Sequence, residues 1–163
     1  VPAINDLPLP GDRFMPIGDS DAEYAYCYLL NLLAGADALD DLQQTSSILY
    51  DFGLKLSTMG PANFLYSDSR RLYAFASRRR YPNKEEYPPG MHLLSRQCEQ
   101  LPASIEHEGL RVQSTTLSPQ EITLLSSVPL SDENWIPLPE NQLLVLQEGR
   151  VIRHLEGPED LKK

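Results

Sequence analysis

The periodicity of the chain changes once, at Gly60-Pro61, and that change limits the folds open to it. Upstream, apolar residues recur at helical spacing. Residues 20–34 read as a helix that is apolar almost all round, with Tyr24, Ala25, Tyr26, Cys27, Tyr28, Leu29, Leu30, Leu32 and Leu33. Such a helix is expected to be buried on most sides, its tyrosines packed between layers, with Gly35 as its stop. A second helix is predicted from about Ala38 to Ser57, carrying Leu39, Leu42, Leu49, Phe52 and Leu56 on one face. Gly60-Pro61 ends it.

Downstream, the apolar residues come in short runs separated by turn residues. "ANFLYSDSRRLYAFAS" predicts a hairpin around Ser67-Asp68-Ser69, and "GMHLLSR" and "EITLLSSVPL" predict further strands. "QLLVLQEGRVIRHL" predicts a hairpin turning at Glu148-Gly149. Residues 78–90, 99–120 and 131–141 read as polar loops with prolines. Helices segregated ahead of mostly antiparallel strands indicate an α+β fold with helices laid on a sheet. The 163 residues suit one domain.

Charge narrows the partners. Fourteen Lys and Arg against 23 Asp and Glu give a net charge of -9, which argues against DNA, RNA or an anionic membrane. The basic cluster Arg78-Arg79-Arg80, close to Glu85-Glu86, reads as a solvated loop edge rather than a phosphate site. Cys27 and Cys98 form no CxxC pair and no disulfide framework, and Cys27 in its apolar run reads as a small hydrophobe. No stretch is apolar for long enough to span a bilayer and no signal peptide is visible, so a reduced, cytoplasmic setting is expected. His92, His107 and His154 share no metal-ligand spacing, and no phosphate loop or G-x-S-x-G context occurs. No metal and no cofactor is called for. Trp135, flanked by proline, is expected to anchor its loop.

The stretch "MPIGDSDAEYAYCYLL" sets three acids before the first helix. Ser20-Asp21-Ala22-Glu23 fits the S-x-x-E capping box, in which Ser20 and Glu23 cap each other's exposed amides. Asp21 then stands at the first helical position without being needed for the cap. The positive end of the helix dipole keeps its carboxylate ionised. Two readings remain open on the residues alone: Asp21 complements the dipole and nothing more, or it holds the ammonium group of a ligand.

"GDSDAEYAYCYLL" resembles the G-x-[ST]-D-[ST]-E segment of class II glutamine amidotransferases. "NFLYSDSRRLYAFASRR" resembles that family's core hairpin, and "LLSSVPLSDENWIPLPENQLLVLQEGRV" resembles its later strands, all in the family's order. The likeness is greatest to the stand-alone amidotransferase-like branch. It implies the four-layer α/β/β/α sandwich of N-terminal-nucleophile hydrolases, represented here by one helical layer and part of both sheets. It implies hydrolysis of glutamine or of a γ-glutamyl amide, with Asp21 holding the substrate amino group and Ser20 and Glu23 supporting it. The chain departs from the family pattern at Ala22, at Ser69, which suggests a different hairpin turn, and at the extra acid Asp19.

The family's nucleophile is a Cys at the mature N-terminus, followed by an Asn-Gly pair that supplies oxyanion donors. Both precede the Asp segment, so no catalytic residue is expected within this chain. Val1 opens a Pro-rich stretch that reads as a connecting loop. The expectation is that residues 1–163 are the C-terminal portion of a single amidotransferase domain and are inactive alone. The partner is then a small molecule, with self-association left open, and any ammonia-accepting synthase would be a separate chain. The competing reading is a non-catalytic amidotransferase fold that serves as an interaction or regulatory module.

Overall fold

The computed structural model describes residues 3–38, 40–98, 104–107, 110–113, 120–157 and 160. After a 3-10 turn at Ile4–Asp6 come helices α1 (Asp21–Ala36) and α2 (Leu42–Ser57). Strands follow: β1 (Phe64–Ser67), β2 (Leu72–Ala76), β3 (Arg79–Arg80), β4 (Glu86–Tyr87), β5 (His92–Cys98), β6 (Ser104–His107), β7 (Leu110–Gln113), β8 (Gln120–Ser126), β9 (Ile136–Pro137), β10 (Gln142–Gln147) and β11 (Arg150–Leu155). The fold is α+β: two helices, then antiparallel sheets.

A four-stranded sheet runs β1-β2-β10-β11, and a three-stranded sheet runs β8-β5-β9. The first sheet works on both faces because side chains alternate along a strand. On one face Tyr73, Phe75, Leu143 and Val145 pack under α1 and α2 with Leu29, Leu33, Leu49 and Phe52. On the other face Ala74, Ala76, Leu144 and Leu146 meet Met91, Leu93 and Leu138 of the second sheet and its approaches. The register that enforces this pairs Phe75 with Phe64 on one side and with Leu143 on the other. Among the described residues the result is three stacked layers, helix, sheet and sheet.

The helix boundaries differ from those the sequence predicts. Gly35 does not stop α1. The helix continues to Ala36, and Asp37 takes the left-handed C-cap at φ 51°, ψ 38°. A short polar side chain tolerates that conformation, so the glycine is not required there. α2 begins at Leu42 rather than Ala38, because Asp41 is its N-cap and accepts from the amides of Gln43 and Gln44 at 2.8 and 3.0 Å. Ala38 lies in the turn before it, where its carbonyl accepts from the Thr45 hydroxyl at 2.5 Å. Leu39, expected on the apolar face, lies outside the described residues.

α1 is also less enclosed than expected. Cys27, Tyr28, Leu29 and Leu33 are buried, but Tyr26 is 54% exposed and Tyr24 is half-buried, its hydroxyl donating to the Leu7 carbonyl.

Three stretches expected as loops contain strands. Residues 78–90 hold the β3–β4 ladder, 99–120 hold the β6–β7 pair and 131–141 hold β9. Strands of two residues are too short for alternation to show. The hairpin at Glu148-Gly149 forms as predicted, with φ of 52° and 80° at those residues, as a two-residue turn of the I′ kind requires. No helix among the described residues is long and apolar enough to cross a membrane.

Gly53 is where α2 rests on the sheet. A Cβ added there would run into the ring of Phe75, which is fully buried. Alanine gains about 1 kcal/mol of helix propensity over glycine, but overpacking a rigid core costs about 1–3 kcal/mol. The steric term wins. Gly53→Ala is expected to lower unfolding free energy by about 1–2 kcal/mol, measured by denaturant titration of the full-length protein, whereas a propensity-driven rise would contradict this packing.

Candidate active site

The N-terminus of α1 is built by three neighbouring side chains with different tasks. Ser20, extended at φ −79° and ψ 136°, accepts the Glu23 amide on its hydroxyl at 3.0 Å. Glu23 does not return the bond to Ser20. Its two carboxylate oxygens accept from the amides of Ile17 at 2.9 Å and Gly18 at 3.0 Å. The preceding chain curls back so that two consecutive N–H groups face two oxygens, a better match than the single Ser20 amide. The reciprocal capping box is therefore corrected to a serine cap plus a carboxylate latch on the upstream loop. The Asp21 carboxylate has no hydrogen-bond or ion-pair partner among the described residues.

Asp21 opens onto a cavity of about 550 Å³. Its walls come from α1 (Ala25, Tyr26), the last turn of α2 (Leu56), the connection after it (Met59, Asn63) and the first residue of β1 (Phe64). The lining is largely apolar. The polar side chain of Asn63 is already committed, accepting the Ser77 amide at 2.9 Å and donating to the Arg78 carbonyl at 2.9 Å. Asn63 thus fixes the cavity wall through β1.

The hairpin between β1 and β2 is organised from within. Asp68 accepts from the amides of Arg70 and Arg71 at 2.9 and 2.7 Å and from the Tyr73 hydroxyl at 3.3 Å. Its side chain is 5% exposed and lies 3.7 Å from the Arg71 guanidinium. Burial, reinforced by the Asp68 carboxylate, pushes the Tyr66 phenol above its ordinary range. Ser69 adopts φ 74°, the left-handed conformation that a glycine enters freely.

The basic cluster is more than a solvated edge. Arg78 donates to the Ser57 carbonyl at 3.0 Å, pairs with Glu140 at 3.3 Å and approaches Glu86 at 3.4 Å. Arg79 donates to the Ser127 carbonyl at 2.8 Å and lies over the Tyr81 ring. Arg80 pairs with Glu86 at 2.7 Å. These arginines tie α2, the β3–β4 ladder and the second sheet together. Sequence reading missed this because Ser57, Ser127 and Glu140 are distant in the chain.

Cys27 is buried in α1. His92, His107 and His154 lie on β5, β6 and β11. Burial pulls the His92 imidazole below the ordinary histidine range, and the nearby Arg79 charge acts in the same direction. Trp135 anchors its loop as expected: it is buried, and its indole N–H donates to the Ser131 hydroxyl at 3.1 Å.

A helix layer lies on two antiparallel sheets in an α+β domain, with an unpartnered carboxylate at a helix N-terminus beside a cavity. The family model for class-II glutamine amidotransferases matches residues 5–163, and the chain belongs to that family. It is 27% identical over 149 residues to an uncharacterized protein of Methanocaldococcus jannaschii, covering 90% of this chain and 39% of that protein. Its fold matches the 2.0 Å crystal structure of a predicted glutamine amidotransferase from Pseudomonas aeruginosa with a TM-score of 0.68 at 23% identity. That match covers 87% of this chain and 56% of the other. The chain thus spans well under two thirds of either relative's length.

Ser69→Gly tests the hairpin. Relieving the left-handed strain outweighs the extra unfolded-chain entropy of glycine, so stability should rise by about 0.5–1 kcal/mol. Chemical denaturation of the full-length protein reads it, and a loss of stability would show that the Ser69 side chain contributes more than its backbone costs.

Proposed function

We propose that the whole protein hydrolyses glutamine or a γ-glutamyl amide, and that this chain supplies the anchor for the substrate amino group. The observation that carries the reading is the Asp21 carboxylate, left without a partner at the cavity mouth while its neighbours Ser20 and Glu23 are engaged. A fixed carboxylate pairs well with an α-ammonium group, and a charge-assisted hydrogen bond of this kind contributes about 1.5–3 kcal/mol. Membership of the family supports the reaction class.

In the family's chemistry an N-terminal cysteine is the nucleophile and its own α-amino group is the base. The sulfur attacks the side-chain carbonyl carbon of glutamine. The C–N bond breaks, ammonia leaves with the thiol proton, and water cleaves the thioester to give glutamate and regenerate the thiol. Oxyanion donors stabilise the tetrahedral intermediates. The anchor holds the substrate through each step without touching the reacting bond, so its loss weakens binding more than turnover. A reduced cytoplasmic setting suits a free thiol nucleophile.

Asp21→Asn keeps the shape and removes the charge. In the full-length protein it should raise KM for glutamine about 10- to 100-fold, with a smaller effect on kcat, measured as ammonia release. An unchanged KM would reject Asp21 as the anchor. Purified residues 1–163 should release no ammonia from glutamine above buffer, and clear turnover would place the nucleophile within this chain.

A further inference from the structure

Resting on the reading of Asp21 above, we propose that Glu23 is a positioning residue for substrate binding: it latches the loop before α1 and thereby sets where Asp21 stands at the cavity mouth. The loop is not held by burial. Ile17 is 98% exposed and Met15 is 60% exposed. Two side chains of α1 hold it instead. Asn31, buried one end along the helix, accepts the Phe14 amide at 3.1 Å and donates to the Phe14 carbonyl at 2.8 Å. Glu23 accepts the Ile17 and Gly18 amides at 2.9 and 3.0 Å. The segment from Phe14 to Gly18 is thus strung along the helix between two fixed points.

Gly18 supports this independently. A Cβ there would lie 2.8 Å from a Glu23 carboxylate oxygen, so a side chain at residue 18 would push that carboxylate off the position in which it meets both amides. From Gly18 the chain has one residue, Asp19, before Ser20 caps the helix on the Glu23 amide. Glu23 therefore closes the turn from both ends, by its carboxylate at residues 17 and 18 and by its backbone at Ser20. Asp21 leaves that closed turn as the first helical residue, and its direction into the cavity follows from it. Without the latch, rotation about residues 18–20 lets Asp21 move, and a binding group displaced by a fraction of an ångström loses much of its effect.

The test is a set of variants in the full-length protein, with ammonia release from glutamine measured over a concentration range. Glu23→Ala should raise KM about ten-fold, with kcat within about three-fold of the parent. Glu23→Gln retains one acceptor oxygen for two amides, so its KM should fall between the two, and it serves where the alanine variant folds poorly. The double variant Asp21→Asn with Glu23→Ala should bind glutamine no worse than Asp21→Asn alone, within about two-fold, because Glu23 acts through Asp21. An unchanged KM in folded Glu23→Ala, or penalties that multiply in the double variant, would overturn the proposal. If Asp21→Asn itself leaves KM unchanged, the anchor reading fails and the positioning role fails with it. The latch is then judged alone by hydrogen exchange at the Ile17 and Gly18 amides: exchange about ten-fold faster in Glu23→Ala supports it, and equal rates remove it.

Discussion

The structure hangs on one antiparallel pair, β2 with β10, whose residues alternate between two cores. Tyr73, Phe75, Leu143 and Val145 point to the helices, and all are fully buried. Ala74, Ala76, Leu144 and Leu146 point to the second sheet. Size follows face. Bulky aromatics fill the space under two helices of cylindrical shape, and the alanines allow the second sheet to come close. A one-residue slip would exchange these sets and empty both cores at once. β1 pairs with the outer side of β2, so the register of this pair also decides where Asn63 and Phe64 meet the cavity.

Charge is handled locally rather than left to solvent. Asp68, almost fully buried, accepts from two backbone amides and a phenol and lies beside Arg71. The partner groups compensate its desolvation, and the hairpin end is rigid in consequence. Arg78 does the same work between elements, reaching a helix C-terminus, an acid of the β3–β4 ladder and an acid before β10. A run of three arginines in a chain of net charge -9 is thereby turned inward as cross-links.

Much of this was legible, and the misses have physical reasons. The period change at Gly60-Pro61, the hairpin at Ser67-Asp68-Ser69 and the Glu148-Gly149 turn all depend on residues within a few positions of one another, and sequence exposes such terms. The β6–β7 pair, Ser104–His107 with Leu110–Gln113, was not legible, because its strands are short and largely polar. The α1 terminus was misread because glycine is only the most frequent left-handed residue, and Asp37 performs the role two positions on. At the candidate site the Ser20 cap was legible as a local bond. The destination of the Glu23 carboxylate was not, because it depends on how residues 14–18 fold back along α1, and that path is set by Asn31 a full two turns beyond.

The acids before α1 acquire distinct meanings once these bonds are counted. A bare helix N-terminus attracts anions, since its first amides are unsatisfied and its dipole is positive there. In this chain the end is already served. Ser20 caps one amide, and Glu23 lies within the first turn with both oxygens engaged by Ile17 and Gly18. Adding Asp21 at the first helical position exceeds what the dipole, worth about half a charge, can balance. On the proposed reading, the field of that surplus carboxylate at the cavity mouth favours a cation rather than an anion. An amino acid bound through its ammonium group satisfies that field. The same amino acid turned round would set its own carboxylate against Asp21. The proposed orientation of glutamine, amino group toward α1, thus follows from the surplus of one unpaired carboxylate over what the helix end can use.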